Sequence, residues 1–282
     1  MKKIVFLSSL FALLASACGN RQTEPVTREP NIEDSVFPIP YGSDSPLSLY
    51  GIQDCPQTMS AELFRGLDDA LLDSILSDGQ AEASINVFLL SPLGDRTVLF
   101  DAGLGAAKGG RLMVALDSLG CTPDQITDIC ITHLHFDHVG GLFNPDGTAA
   151  FPAATLHISQ AEYDAWASGK MGDPELTSNI SRCYEGRIQF FTPGDTLLGT
   201  IATIAAPGHT PGHTIYGIGN VLIVGDIIHA VALQVEHPEF CARFDADPKQ
   251  AVATRQAIFD RARTEHLTLC GMHFPRPLTL VL

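Results

Sequence analysis

Basic residues are scarce in this chain: 17 Lys and Arg stand against 32 Asp and Glu, a formal charge of −15 over 282 residues. That shortage excludes nucleic acid as the main partner, because phosphate binding requires a basic surface. None of the seven cysteines (Cys18, Cys55, Cys121, Cys130, Cys183, Cys241 and Cys270) falls in a CxxC. Setting Cys18 aside, the other six allow fifteen pairings, and the sequence does not choose between them or between a disulfide framework and buried free thiols. The N-terminal apolar run, Ile4 to Ala17, falls short of the roughly 20 residues that span a bilayer. Short-period repeats are absent, and so is any low-complexity tract beyond residues 18–35. What is abundant is apolar surface: 45% apolar and 17% charged residues suffice for a large core and exclude wholesale disorder. Eighteen prolines and 25 glycines spread along the chain disfavour a helical bundle.

Lys2 and Lys3 precede the apolar run, which ends in Ala15-Ser16-Ala17 before Cys18. This is the pattern of a signal peptide over residues 1–17 with a small-residue cleavage site. Leu14-Ala15-Ser16-Ala17-Cys18 also resembles a bacterial lipobox, with Ala15 where that motif prefers Leu. The expectation is an exported protein, either soluble in the periplasm or lipid-anchored through Cys18. Residues 18–35 are polar without apolar periodicity and read as a flexible tether. Removal of the first 17 residues leaves 15 basic against 32 acidic side chains, a net of −17. Membrane attachment would then rest on the anchor alone.

Residues 36–282 read as one domain. Leu63, Phe64, Leu67, Leu71 and Ile75 recur at three-to-four spacing and predict a helix over 60–77. Ile85–Leu90, a Gly94-Asp95 turn and Thr97–Phe100 predict a hairpin. A second helix is expected over 109–119 with Gly120 as its cap, then a buried strand over 126–132. Short strands follow near 154–158, 188–191, 201–205, 214–218 and 221–225. The last helix begins with Asp247 as N-cap and Pro248 at its first position, and a strand over 267–270 closes the series. Strands and helices mixed this evenly predict an α/β domain whose sheets are covered by helices.

The informative segment is Thr132-His133-Leu134-His135-Phe136-Asp137-His138-Val139-Gly140-Gly141, directly after the predicted buried strand. Three histidines and an aspartate in six residues form a metal-ligand set, since imidazole and carboxylate both suit Zn²⁺. His133 and His135 lie two apart in an extended stretch, point the same way, and can clasp one ion. Asp137 and His138, further on, can reach a second. Further candidates follow other strands: His209 and His213 in Pro207–His213, Asp226 after Val221–Val224, and His273 after Leu267–Cys270. His157, His237 and His266 stand alone and read as ordinary core or solvated side chains.

HxHxDHxGG, then GHTPGH, then an apolar strand ending in Gly-Asp, then a late His, resembles the metallo-β-lactamase superfamily over roughly residues 80–275. Ile85–Leu89, Phe100-Asp101-Ala102-Gly103, Gly225–His229, Phe244–Pro248 and His273-Phe274-Pro275 resemble its methyl parathion hydrolase-like branch, which includes lactone- and ester-hydrolysing relatives. The resemblance implies a four-layer αββα sandwich of the metallo-β-lactamase type, with two divalent ions in a cleft at the sheet edges. It implies that His133, His135 and His209 hold the first ion, that Asp137, His138 and His273 hold the second, and that Asp226 bridges them. His213 becomes a residue supporting the ligands from behind or a strand residue, and Asp101 accepts a hydrogen bond from a ligand imidazole. Zinc leads the candidate metals, with Mn, Co and Fe compatible with the same donors.

The implied activity is hydrolysis of a small-molecule ester, lactone or phosphotriester by water activated between the ions. Asp137 would move the proton to the leaving group, and His229 would donate to a developing oxyanion. Two departures from the branch stand out. His229 occupies the place where acyl-homoserine lactonases tend to have a Tyr. After His273-Phe274-Pro275 the chain ends at Leu282, where relatives usually continue, so a pocket-lining segment is expected to be lost. Competing readings are a thioesterase of the glyoxalase II type or a β-lactamase, a mononuclear iron sulfur dioxygenase, and an inactive metal-binding lipoprotein. The first usually has a basic C-terminal region, and here only Arg261, Arg263, His266 and Arg276 are available; GHTPGH in place of a GHTPGS-like motif disfavours the second. Oligomeric state leaves no signal in the sequence.

Overall fold

The computed structural model describes residues 35–40, 47–65, 74–76 and 78–282. The expected signal peptide, the tether up to residue 34 and Cys18 lie outside them. In chain order the first half comprises β1 (Val36–Ile39), β2 (Ser48–Ser60), β3 (Phe64–Arg65), β4 (Gln80–Leu93), β5 (Arg96–Phe100) and α1 (Leu112–Ser118). It continues with β6 (Asp128–Cys130), α2 (Phe136–Val139), β7 (Thr155–Ser159), α3 (Gln160–Ala167), α4 (Glu175–Cys183) and β8 (Ile188–Phe191). The second half has β9 (Thr196–Leu197), β10 (Ile201–Ala205), β11 (Thr214–Ile218), β12 (Val221–Gly225) and α5 (Val231–Gln234). It ends with β13 (Cys241–Ala242), α6 (Pro248–Glu265), β14 (Thr268–Gly271) and β15 (Thr279–Val281).

Among the described residues the strands form a seven-stranded sheet, β1-β2-β4-β5-β6-β7-β8, and a six-stranded sheet, β15-β14-β12-β11-β10-β9, besides a small β3–β13 pair. Both large sheets are mixed: β5 through β8 run parallel, as do β12 and β14, and the remaining neighbours are antiparallel. Three apolar clusters separate the layers. Phe88, Val98 and Phe100 of the first sheet meet Ile201, Tyr216, Val221 and Ile223 of the second, so the sheets face each other. The first sheet's outer face packs on Leu112, Leu116, Trp166 and Ile180 from α1, α3 and α4. The second sheet's outer face packs on Ile258, Phe259 and Ala262 of α6. The result is the αββα sandwich expected from the motifs.

The hairpin forms as predicted, β4 and β5 closing on Gly94, whose φ of +64° suits a two-residue turn. The α6 start is also as predicted, with the Asp247 side chain accepting from the Gln250 backbone N–H at 3.0 Å and Pro248 at the first position. The start of the helix expected over 60–77 is a correction, while residues 74 and 75 near its end are helical. Ser60 ends β2, and Phe64 pairs with β13, so its apolar ring joins Met59, Leu76, Leu233 and Phe240 as part of a sheet. Leu67 and Leu71 of that expected stripe lie outside the described residues. The strand expected over 126–132 shrinks to β6, because residues 131 and 132 already turn toward the loop. The six described cysteines form no disulfide.

This topology gathers strand ends. Asp101 follows β5, His133 follows β6, Asp226 follows β12 and His273 follows β14, all at the C-terminal ends of strands that have a parallel neighbour. Crossing bonds join the sheets there: Thr214 N–H donates to the Thr132 carbonyl at 3.0 Å, and the Tyr216 hydroxyl to the Ile131 carbonyl at 2.6 Å. On the other side, Asn86 Nδ2 donates to the carbonyls of Gly271 and Phe274 at 2.9 and 2.8 Å.

Candidate metal centre

The seven residues expected to hold metal come from four loops and converge. His133 Nε2, His135 Nδ1 and His209 Nε2 form a triangle with sides of 2.9, 3.1 and 2.8 Å. Four ligand atoms about 2.0–2.1 Å from a tetrahedral zinc would lie roughly 3.3 Å apart, so the triangle has the size of one face of such a site. Asp226 Oδ2 completes that group, 3.3 Å from His209 Nε2 and 3.7 Å from His133 Nε2. Asp137, His138 and His273 form a second group. Asp226 reaches it as well, with Oδ1 3.2 Å from His138 Nε2 and Oδ2 3.0 Å from His273 Nε2. It therefore lies between two donor sets.

The outward nitrogens explain which way the lone pairs point. His138 Nδ1 lies 2.7 Å from Asp101 Oδ2, His209 Nδ1 2.9 Å from Asp245 Oδ1, and His273 Nδ1 2.9 Å from the Ser84 carbonyl. Each partner can only accept from a ring N–H, so Nδ1 carries a hydrogen and, in the neutral ring, Nε2 presents a bare lone pair to the cluster. His133 follows the same rule: Thr132 Oγ1, which donates to Asp101, lies 3.1 Å from His133 Nδ1 and is left to accept. Asp101 therefore accepts from a ligand-candidate imidazole, and it does so from a positive φ of 61° that a non-glycine residue rarely adopts.

Fit to a cation is tested by what is left over. His138 Nε2 and Asp226 Oδ1 are buried and 3.2 Å apart, yet neither has a hydrogen-bond partner. Orphaned buried polar atoms are costly unless something else satisfies them. The donor chemistry, imidazole and carboxylate with imidazoles oriented from behind, suits a divalent cation such as zinc.

Electrostatics agree. Burial and the neighbouring rings push His133 and His209 well below the ordinary imidazole range, and His135 is pushed down to about 4, chiefly by burial. Burial would lower His138 too, but the carboxylates of Asp226, Asp137 and Asp101 outweigh it and hold the ring well above its usual value. His273 is raised for the same reason, by Asp226 and Asp137 against burial. Burial opposes ionisation of Asp226, yet His138, His273 and His133 hold it well below the carboxylate range. The carboxylates thus favour positive charge at the cluster, and a divalent cation would compete with protons for Nε2 of His138 and His273.

Local backbone makes the convergence possible. Gly225 sits at φ +57°, and a Cβ there would lie 2.2 Å from His213 Nε2. A Cβ on Gly141 would lie 2.0 Å from the Ala102 carbonyl, so the Gly-Gly lets the loop after β5 press on the helix bearing Asp137 and His138. His213 has both nitrogens occupied by backbone: Nε2 accepts from Asp226 N–H and Nδ1 faces the Ala206 carbonyl, each at 3.2 Å. His229 is buried at 1% exposure beside the cluster, stacked on His273 at 5.4 Å and tilted against His209 at 4.9 Å. Neither of its ring nitrogens has a hydrogen-bond partner, and Nε2 stands 3.4 Å from Asp226 Oδ2. Asp137 is 29% exposed, with its two oxygens 3.8 Å from His138 Nε2 and 3.5 Å from His273 Nε2.

Asp245 and the Ser84 carbonyl escaped the sequence reading as orienting groups. Phe244–Pro248 was visible as a family-like segment, which was the available signal for Asp245; a backbone carbonyl on β4 leaves none. Of the lone histidines, His157 is buried against Asp128 at 2.8 Å, whereas His237 is half-buried and His266 is the left-handed cap of α6.

A model of the metallo-beta-lactamase superfamily matches residues 82–261. Metallo-beta-lactamase domain-containing protein 1 of Xenopus laevis is 29% identical over 156 residues, covering 52% of this chain and 55% of that protein. An N-acyl homoserine lactonase of Bacillus cereus is 32% identical over 105 residues, covering 36% of this chain and 37% of its own. The chain thus spans about half the length of the first of these curated relatives and just over a third of the second. Among solved structures, AidC, a dizinc quorum-quenching lactonase in complex with a product, superposes with a TM-score of 0.78 at 26% identity, covering 87% of this chain and 92% of its own. AbOPH, a hydrolase in the beta lactamase superfamily, superposes at 0.76 with 27% identity and the same coverage.

Proposed function

The chain belongs to the metallo-beta-lactamase superfamily, and on that premise we propose that it is an exported hydrolase with a dinuclear metal centre acting on an ester, lactone or phosphotriester. The observation that carries this reading is Asp226, one carboxylate between two sets of donors whose nitrogens present bare lone pairs. His133, His135 and His209 would hold one ion, Asp137, His138 and His273 the other, and Asp226 both. Bound divalent cations, zinc foremost, supply Lewis acidity and activate water at neutral pH.

The protein's own groups supply orientation and proton traffic. Asp101, Asp245 and the Ser84 carbonyl fix the ring planes that aim the lone pairs. Asp137, open to solvent on one side, carries a proton from the attacking water to the leaving oxygen. His229, with no hydrogen-bond partner on its ring, turns an N–H toward the oxygen on which charge develops. Residues 1–17 direct export, Cys18 carries a lipid, and residues 18–35 tether the hydrolytic domain of residues 36–282 to the cell envelope.

The test is metal counting on purified protein, followed by turnover of lactones, aryl esters, phosphotriesters and β-lactams with that metal. Two divalent ions per chain and hydrolysis of at least one ester, lactone or phosphotriester are expected. One iron per chain with sulfite formation, or metal without hydrolysis of any substrate, would overturn the proposal. His229→Ala should lower kcat/KM on every accepted substrate, and an unchanged value removes its catalytic role.

A further inference from the structure

One buried carboxylate takes no part in the centre described so far and yet touches both loops that feed its first donor trio. Glu162 lies in the first turn of α3 at 1% exposure. Its Oε1 accepts from the Leu134 backbone N–H at 3.0 Å and from Trp166 Nε1–H at 2.8 Å. Its Oε2 accepts from the Thr210 hydroxyl at 2.7 Å and from the Gly212 N–H at 3.0 Å. Leu134 is the residue between His133 and His135; Thr210 directly follows His209. One side chain thus ties the two loops whose histidines form the nitrogen triangle.

We infer that Glu162 is a positioning residue for the metal held by His133, His135 and His209, a clamp that sets the spacing of those three nitrogens before any cation arrives. The inference rests on the metal-centre reading above. The Glu162 carboxylate accepts these four hydrogen bonds, which matches the lone-pair capacity of that group. The bonds extend beyond fold maintenance, because their partners are the backbone and side chains that flank the ligand candidates. Trp166, held by the same carboxylate, sets its ring edge-on to His135 at 5.6 Å and an interplanar angle of 84°. Gly212 lets the start of α3 sit against the loop: a Cβ there would come within 2.1 Å of the Glu162 nitrogen. The second trio has no such tie to Glu162, so the clamp acts on one half of the centre.

Glu162→Gln tests this with little change in volume. Turned one way, the amide NH₂ confronts the donors of Leu134 and Trp166; turned the other, it confronts Gly212 N–H. At least one loop tie therefore breaks. The measurement is cobalt titration with a competing chelator, in two backgrounds that isolate the halves of the centre. In His273→Ala, where the second trio is crippled, Glu162→Gln should weaken cobalt binding about ten- to a hundredfold, the range for groups that orient metal ligands. In His133→Ala, where the first trio is crippled, it should change affinity less than about twofold, the additivity expected of separate sites. Thr210→Val, which removes a single donor at constant shape, should show the same background dependence at about threefold and keeps the test open should the Gln variant not fold. Equal weakening in both backgrounds would make Glu162 a general structural residue and overturn the clamp. Unchanged affinity in both would overturn it as well. A wild-type chain that binds no cobalt would overturn the metal-centre reading, and the clamp with it.

Discussion

β6 carries a buried His–Asp cluster at each end, and the two are put together differently. At its start, Asp128 accepts from Arg96 Nη1 at 3.1 and 2.8 Å, from Thr127 Oγ1 at 2.8 Å and pairs with His157 Nε2 at 2.8 Å. Past its end, Asp226 has five imidazoles within ion-pair distance, those of His133, His138, His209, His229 and His273. Asp128 is satisfied by a permanent cation and by donors that already carry hydrogens. Asp226 faces rings whose Nδ1 hydrogens are turned away to other acceptors, and its Oδ1 has no partner. Burying carboxylates and histidines does not by itself bring donors to one point; the second cluster differs in that its imidazoles converge on one carboxylate with no arginine or lysine among them.

The largest expected effect breaks this contrast at its strongest point. Asp226→Ala should cut bound metal from the proposed two ions to at most one and lower kcat/KM about a thousandfold or more, the scale of several kcal/mol of Lewis-acid stabilisation. Asp128→Asn should leave metal content and kcat/KM within about twofold while lowering the melting temperature. Elemental analysis, turnover and calorimetry on the two variants decide it, and equal metal loss in both would erase the distinction.

The acid limb of stability sharpens the contrast next. His213, behind Asp226, is pushed down to about 4, first by burial. Unfolded, the same ring titrates near 6.5. Between those values the unfolded chain binds the proton and the folded chain does not, so stability falls as pH drops from about 6.5 toward 4 and is fully present above 6.5. The slope is about 1.4 kcal/mol per pH unit for this group. Metal-free His213→Gln, which cannot titrate, should lose that much slope in denaturant midpoints across the window. An unchanged slope would mean the imidazole is not kept neutral by the fold.

How much of this was legible follows from where each residue draws its meaning. HxHxDH was readable because four donors, three histidines and an aspartate, crowd six positions after an apolar strand, a local pattern with few other uses. Asp226 and His273 were readable through the Gly-Asp and His-Phe-Pro that end apolar runs. Glu162 was not, since an isolated acidic residue at a helix start looks like any other until Leu134, Thr210 and Gly212 surround it. β2 was missed because Gln53, Asp54 and Gln57 interrupt its apolar alternation; Asp54 is buried there to accept from the backbone of Leu104, Arg111 and Leu112. The helix expected over 60–77 failed at its start, where Phe64 pairs with Ala242 of β13, a partner 178 residues away that periodicity cannot register.

Orienting groups come next in magnitude. Asp101→Asn removes the charge that receives His138 Nδ1–H and allows an amide N–H to face that nitrogen instead. The ring would then favour its other tautomer, with the hydrogen on Nε2 and no lone pair for the second ion. A ten- to hundredfold loss of affinity for one metal equivalent is expected by chelator competition. The other equivalent, proposed for His133, His135 and His209, should change far less, although Thr132 links Asp101 to His133. Equal loss of both equivalents would place Asp101 in the service of the whole loop.

The smallest effect belongs to the other end of β6. Arg96 is 46% exposed, and its bonds to Asp128 compete with water at the guanidinium end. Exposed pairs contribute at most about 1 kcal/mol, whereas hydrogen bonds to a buried charge reach about 1.5–3 kcal/mol. Asp128 is 1% exposed but keeps Thr127 and His157 when the arginine is removed. Arg96→Ala should therefore cost about 1 kcal/mol in denaturant unfolding. It should leave metal stoichiometry and kcat/KM unchanged, since the pair sits at the opposite end of the strand from His133. A change in either would mean that β6 transmits strain from its first residue to the metal loop, and the two clusters could no longer be treated as independent.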